Sequence, residues 1–265
     1  MLEVTKLNKT FNAGTVNEKH VIKDLNITIN EGDFITVIGG NGAGKSTLLN
    51  LIAGAYELDS GKIVIDGQDV SKQKEHKRAK LIGRVFQDPM TGTCADLSIV
   101  ENLSLAKRRG QRRTLRRGIT KDEKIEYQEI LKDLNLNLET RLNSKVGLLS
   151  GGQRQALTLL MATLVKPKLL LLDEHTAALD PKTANTVLSL TDRIVKKDKI
   201  TTLMITHNMR DALKYGNRLI MMSDGQIVLD ISAEEKARLT VQDLLQKFEI
   251  ATGGEDTMSD SAILG

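Results

Sequence analysis

The run Gly39-Gly40-Asn41-Gly42-Ala43-Gly44-Lys45-Ser46-Thr47 fits the pattern G-x-x-x-x-G-K-[ST]. Glycines at this spacing let backbone amides close around phosphate oxygens at the start of a helix, where the positive end of the helix favours an anion. Lys45 would neutralise β- and γ-phosphates, and the Ser46 hydroxyl would ligate Mg²⁺. The competing reading is a flexible glycine loop with no ligand, and the flanks argue against it. Phe34 to Ile38 is almost wholly apolar, as a central strand buried on both faces would be. Thr47 to Ala53 has helical spacing and stops at Gly54, a C-terminal cap.

A second candidate lies at Leu169-Leu170-Leu171-Leu172-Asp173-Glu174, which reads as a buried strand delivering two carboxylates at its C-terminal edge. Open α/β sheets bind ligands there. Two acids ending a leucine strand are often only a solvated junction, since charged residues are usually exposed. Beside a phosphate loop they acquire roles: Asp173 can hold the magnesium shell, and Glu174 can orient and deprotonate an attacking water. Leu149-Ser150-Gly151-Gly152-Gln153 sets a serine and two glycines at the opening of a helix that runs through Gln155 and Leu160. Exposed amides and a hydroxyl at a positive helix end make a further anion-binding feature.

That pentapeptide is the ABC signature, and from about Leu2 to Val228 the chain resembles an ABC (ATP-binding cassette) nucleotide-binding domain. The resemblance implies an α/β fold: a P-loop NTPase (RecA-like) core with an antiparallel β-subdomain and an inserted helical signature subdomain. It implies residues 1–240 as the nucleotide-binding domain, with the helical subdomain at about 89–165, and 241–265 as a C-terminal helix and disordered tail. It also implies that Ser150, Gly151, Gly152 and Gln153 clasp the γ-phosphate bound to a second copy, so that a homodimer sandwiches two ATPs. Phe11 matches an aromatic that stacks on adenine; Tyr is commoner there, and a Phe packed in the core is the alternative. Gln87 matches a glutamine that reaches Mg²⁺ and water, Asp180 a loop that crosses the dimer interface, and His207 a switch histidine contacting the γ-phosphate. Lys45, Gln87, Glu174 and His207 are then the catalytic set, and Ser46, Gln87 and Asp173 the metal set.

Two features depart from the pattern. His175 and Thr176 follow Glu174 where proline is usual, and His175 is expected to be a loop variant without a catalytic role. Lys107, Arg108, Arg109, Arg112, Arg113, Arg116 and Arg117 form a basic run, either a solvated charge run or a contact for anionic lipid head groups. His20 and His76 are expected on the solvated surface.

These residues must be positioned by the alternation of elements along the chain. Leu25, Ile27 and Ile29 alternate with Asn26 and Thr28 as in a half-buried antiparallel strand. Asp66-Gly67 and Asp224-Gly225 are tight-turn signals between short strands. Ile82 to Phe86 and Thr201 to Ile205 read as further strands, with a helix starting near Pro181. Strand and helix alternating in this way predict a parallel sheet. Between Pro89 and about Val165 the pattern turns helical, with capping boxes Ser98-x-x-Glu101 and Thr120-x-x-Glu123. After Ser232 one polar helix is expected to about Ile250, followed by a disordered tail.

Composition bounds the partners. The 265-residue chain carries a net charge of +4 and only 3% aromatic residues, so the stacking platforms of a single-strand nucleic-acid binder are missing. Its one cysteine, Cys94, and the lack of zinc spacing fit a reducing compartment. No apolar run approaches the roughly 18 to 20 residues of a membrane span, so membrane work is expected through a partner. The phrase Val85-Phe86-Gln87-Asp88-Pro89 with Asp173 to Pro181 is similar to a bacterial subgroup that pairs with branched-chain-type permeases and an extracytoplasmic binding protein. That resemblance implies tryptophan or tyrosine import at the cytoplasmic face of the membrane. An ABC ATPase that transmits force to a cell-envelope complex shares every motif and stays open here. A GTPase would call for Asn-Lys-x-Asp, whereas Asn8-Lys9 is followed by Thr10-Phe11.

Overall fold

The computed structural model describes residues 1–111 and 118–252. In chain order they form β1 (Leu2–Phe11), β2 (Lys19–Ile29), β3 (Phe34–Gly39), α1 (Lys45–Ala53), β4 (Ser60–Ile65), β5 (Gln68–Asp69), α2 (Glu75–Arg78), β6 (Ile82–Val85), α3 (Ile99–Lys107), α4 (Lys121–Lys132), α5 (Gly151–Thr163), β7 (Leu169–Asp173), α6 (Pro181–Asp198), β8 (Thr201–Ile205), α7 (Met209–Lys214), β9 (Arg218–Ser223), β10 (Gln226–Ile231), α8 (Ala233–Lys236) and α9 (Val241–Thr252).

The all-apolar runs become the interior of a six-stranded sheet of order β10-β9-β3-β8-β7-β6. It is parallel from β9 to β6, and β10 closes one edge antiparallel. Helices cover both faces, which is why these strands show continuous apolar sequence rather than alternation. The period of two survives in which core each residue joins. Leu169 and Leu171 pack with Leu48, Leu49 and Ile52 of α1. Leu170 and Leu172 pack with Leu157 and Leu160 of α5 and Leu188 of α6. Because β3, β6, β7 and β8 run the same way, the segments after all four emerge at one edge, the place where such sheets bind ligands.

The second sheet, of order β2-β1-β4-β5, is antiparallel. Sequence patterning misses β1. Leu2 and Val4 alternate inward, but Lys6 takes a left-handed φ of 46° and the pairing shifts before Leu7, so the period breaks. Both Asp-Gly turns fall where expected, between β4 and β5 and between β9 and β10.

The helical stretch holds α3, α4 and α5, each opened by a complete capping box: Ser98 with Glu101, Thr120 with Glu123, and Ser150 with Gln153. Downstream, the single helix expected from Ser232 to Ile250 is two. Ser232 caps α8, and Thr240 starts the chain again by exchanging hydrogen bonds with Asp243, whose carboxylate accepts from the Thr240 amide at 2.8 Å. The basic run is partly absorbed by the fold. Lys107 pairs with Glu126, Arg108 pairs with Glu123, and Arg109 donates to Ala162 O at 2.9 Å and to Val165 O, closing the end of α5. Arg112, Arg113, Arg116 and Arg117 lie outside the described residues, as does the expected tail beyond Thr252.

Candidate functional site

The glycine-rich loop links the end of β3 to α1. Gly44, at the N-cap of α1, has φ of 94°, and a Cβ there would lie 2.9 Å from Ile22 Cδ1 and 3.0 Å from Val21 O. Only glycine meets both demands, so the loop is held against β2 rather than loose. Gly40 is half-buried, Asn41 and Gly42 are exposed, and Ala43 is part of the core. Lys45 is 7% exposed, and its Nζ donates to Gly39 O at 2.8 Å and Gly40 O at 3.0 Å. Burial lowers its pKa, opposed by the nearby Glu174 and Asp173 carboxylates. Ser46 is exposed, Thr47 half-buried.

Asp173 ends β7, and its Oδ1 accepts from the Ser46 hydroxyl at 3.2 Å. Burial raises its pKa; the Ser46 hydrogen bond, Arg84 and Lys45 act the other way. Glu174 follows with a left-handed φ of 44°, uncommon outside glycine and typical of sites where the surrounding structure over-determines a residue. Its Oε2 lies 3.7 Å from His207 Nδ1. The facing ring is the largest cause of the lowered Glu174 pKa, and Glu174 in turn raises that of His207. Asn208 caps α7 just beyond, and Asp211 of that helix adds a second carboxylate near His207. Gln87 is exposed two residues past the end of β6.

The structure therefore brings Lys45, Ser46, Asp173, Glu174 and His207 into one connected set. The signature residues form another. Ser150 and Gly151 are exposed at the start of α5. Gln153 closes the Ser150 cap and donates to Leu136 O at 3.3 Å. Gly152 is buried, and a Cβ on it would fall 2.0 Å from Thr183 Cγ2. It is a spacer that lets α5 approach α6, and Ser150 and Gly151 are the exposed residues of the motif's start. Asp180 caps α6 by accepting from the Thr183 amide at 3.1 Å, a structural task beside any interfacial one. Gln155 of α5 ties that helix to the segment after β6, its Nε2 donating to Phe86 O at 3.0 Å, one residue before Gln87.

Other expectations fare differently. Phe11 is half-buried at the end of β1, with its ring edge-on to Tyr56 at 5.4 Å. His20 and His76 are exposed, as expected. His175 lies in the turn after Glu174 and is buried: it is 2% exposed, and its Nε2 meets Thr191 Oγ1 at 3.0 Å. Sequence reasoning missed Arg84 and Asn50, which adjoin Asp173 and Ser46. An arginine inside an otherwise apolar strand was the available signal, since a charge there needs partners.

The arrangement can hold a polyanion at the loop and offers the Glu174 carboxylate, paired with His207, as a base for a water beside it, a combination suited to nucleotide chemistry. The ABC transporter family profile matches residues 22–177, and the chain belongs to that family. It is an ATP-binding, ATP-hydrolysing subunit. It is 47% identical over 252 residues to a tyrosine transport ATP-binding protein of Clostridioides difficile (strain R20291), covering 95% of this chain and 100% of that protein. It is 35% identical over 218 residues to the spermidine/putrescine import ATP-binding protein PotA of Haemophilus ducreyi, covering 82% of this chain and 56% of that protein. Among solved structures, a dimeric ATP-binding cassette in a post-hydrolysis state with ADP and Pi aligns with a TM-score of 0.75 and 28% identity, over 88% of this chain and 99% of that one. Among the described residues no helix is long and apolar enough to cross a membrane.

Proposed function

We propose that this chain powers the uptake of an aromatic amino acid, tyrosine or tryptophan, as the ATPase of a bacterial importer. Two copies enclose two ATPs at the cytoplasmic face of the membrane, joined to an integral-membrane permease that an extracytoplasmic binding protein supplies. The full-length likeness to a tyrosine transport subunit supports the substrate class. The ATPase chemistry rests on one observation: Lys45, the Asp173-Glu174 pair and His207, from three separated stretches of sequence, meet at one edge of the sheet.

In this reading the loop amides from Gly39 to Thr47 receive the phosphates and Lys45 neutralises them. Phe11 offers a face to the adenine. Ser46, Asp173 and Gln87 present hard oxygen donors of the kind Mg²⁺ takes alongside phosphate oxygens and water, and Ser46 and Asp173 are already 3.2 Å apart. Bound there, Mg²⁺ would offset charge on the β- and γ-phosphates. Glu174, kept ionised by the facing His207, accepts a proton from the attacking water, and His207 reaches toward the γ-phosphate. Ser150 and Gly151 of the second copy complete the site, with Asp180 at the seam, and release of phosphate reopens the pair.

Glu174→Gln keeps the shape of the side chain but removes the base. Hydrolysis should fall about 10²-fold or more while ATP affinity stays near that of the wild type. A variant hydrolysing at the wild-type rate contradicts the assignment. For the substrate, ATPase activity of the complex with its permease and binding protein should rise with tyrosine or tryptophan and not with spermidine; stimulation by spermidine alone overturns the aromatic reading.

A further inference from the structure

Arg84 lies on β6, on the strand face that looks toward α1, and its side chain is only 12% exposed. Its Nη2 donates to Asn50 Oδ1 at 2.8 Å and stands 3.8 Å from Asp173 Oδ2. Its Nη1 stands 3.7 Å from Glu75 Oε1, and its guanidinium carbon is 4.4 Å from the centre of the Phe86 ring. Asn50 is itself fixed, because its Nδ2 donates to Ser46 O at 2.8 Å, one turn back in α1. The opposite oxygen of Asp173, Oδ1, is the one that accepts from the Ser46 hydroxyl.

An arginine cannot shed its proton, and its planar fork is held here by an amide on one edge and an aromatic ring on one face. The two oxygens of Asp173 therefore have different neighbours: a fixed cation for Oδ2 and a hydroxyl for Oδ1. We propose that Arg84 is a positioning residue for Mg²⁺, holding Oδ2 of Asp173 so that Oδ1, beside the Ser46 hydroxyl, is presented to the metal. This rests on the reading of Ser46 and Asp173 as the metal-side pair. A carboxylate oriented by an outer partner needs no reordering when the ion arrives, and removal of such partners commonly weakens metal affinity. Through Asn50 the same guanidinium also fixes the first turn of α1, which carries Ser46. Phe86 carries the arrangement into the segment that ends at Gln87.

The test is binding of a fluorescent ATP analogue to the purified full-length chain, with Mg²⁺ titrated in and, separately, with EDTA. Arg84→Gln should raise the half-saturating Mg²⁺ concentration about tenfold and leave metal-free nucleotide affinity unchanged. Arg84→Lys, which keeps the charge but not the fork, should show a shift in the same direction but smaller. A lower melting temperature with an unchanged Mg²⁺ dependence would mean that Arg84 only anchors β6, and overturns the proposal. An equal loss of affinity with and without Mg²⁺ also overturns it, since Arg84 would then act on the nucleotide. If Arg84→Gln does not fold, Arg84→Lys decides by the same two readings. Should the wild type bind the analogue equally well with Mg²⁺ and with EDTA, the assignment of Ser46 and Asp173 to the metal fails first.

Discussion

His175 follows the Asp173-Glu174 pair, and its ring sits against Thr191 of α6. The Thr191 hydroxyl donates to Val187 O at 2.9 Å, so the imidazole nitrogen donates to Thr191 Oγ1. Burial pushes the imidazole pKa down from 6.5 to about 4, and the ring is neutral at physiological pH. His175→Ala removes this contact and opens a cavity, and should cost about 2–4 kcal/mol in denaturant unfolding. The folded pKa lies below the unfolded one, so below pH 6.5 the unfolded state takes up the proton first. Wild-type stability should drop by roughly 3 kcal/mol between pH 6.5 and about 4, a fall that His175→Ala should lack. Parallel curves for the two proteins would count against a buried neutral ring. Position in a motif made Lys45, Asp173 and Glu174 legible, because their spacing repeats the chemistry. The burial of His175 and the placing of Arg84 were not legible, since both depend on partners far away in sequence.

Among the elements, α8 has only four residues and yet carries a buried charge. Lys236 is 5% exposed and donates to Tyr215 O, to Gly216 O at 3.3 Å and to Thr36 Oγ1 at 3.4 Å, pinning α8 under the start of β3 and β9. Its partners are neutral, and burial lowers its pKa from 10.5 to about 8. Between those values the unfolded state holds the proton that the folded state has released, so stability rises with pH across that window. Urea unfolding of wild type and Lys236→Met from pH 7 to 11 tests this. The difference should move in favour of the wild type between about pH 8 and 10.5, and a constant difference contradicts it. The elements best read from sequence were those with a single strong cause: unbroken apolar runs for β3, β7 and β8, and capping boxes for α3 and α4. β1 escaped because a left-handed Lys6 breaks its period. The split between α8 and α9 escaped because the Thr240 cap sits within a stretch that has no glycine or proline to mark a break.

At the scale of the whole molecule, the parallel sheet gathers the loop, both carboxylates and the histidine at one edge, while α5 holds Ser150 and Gly151 in a separate exposed set. Two half-sites on one chain are what a two-fold pair of copies needs, each lending its signature to the loop of the other. A structural neighbour is itself a dimeric cassette holding ADP and Pi. The sequence motifs implied this division, but not that Gly152 would be buried against Thr183, leaving Ser150 and Gly151 as its exposed members. The most direct test is the mass of Glu174→Gln in solution with ATP and Mg²⁺, measured by size-exclusion chromatography with light scattering. The shared-site account predicts a dimer that returns to monomer, still binding ATP, when Ser150→Arg is added to the same chain. A Glu174→Gln chain that binds ATP and stays monomeric, or a dimer indifferent to Ser150→Arg, contradicts it.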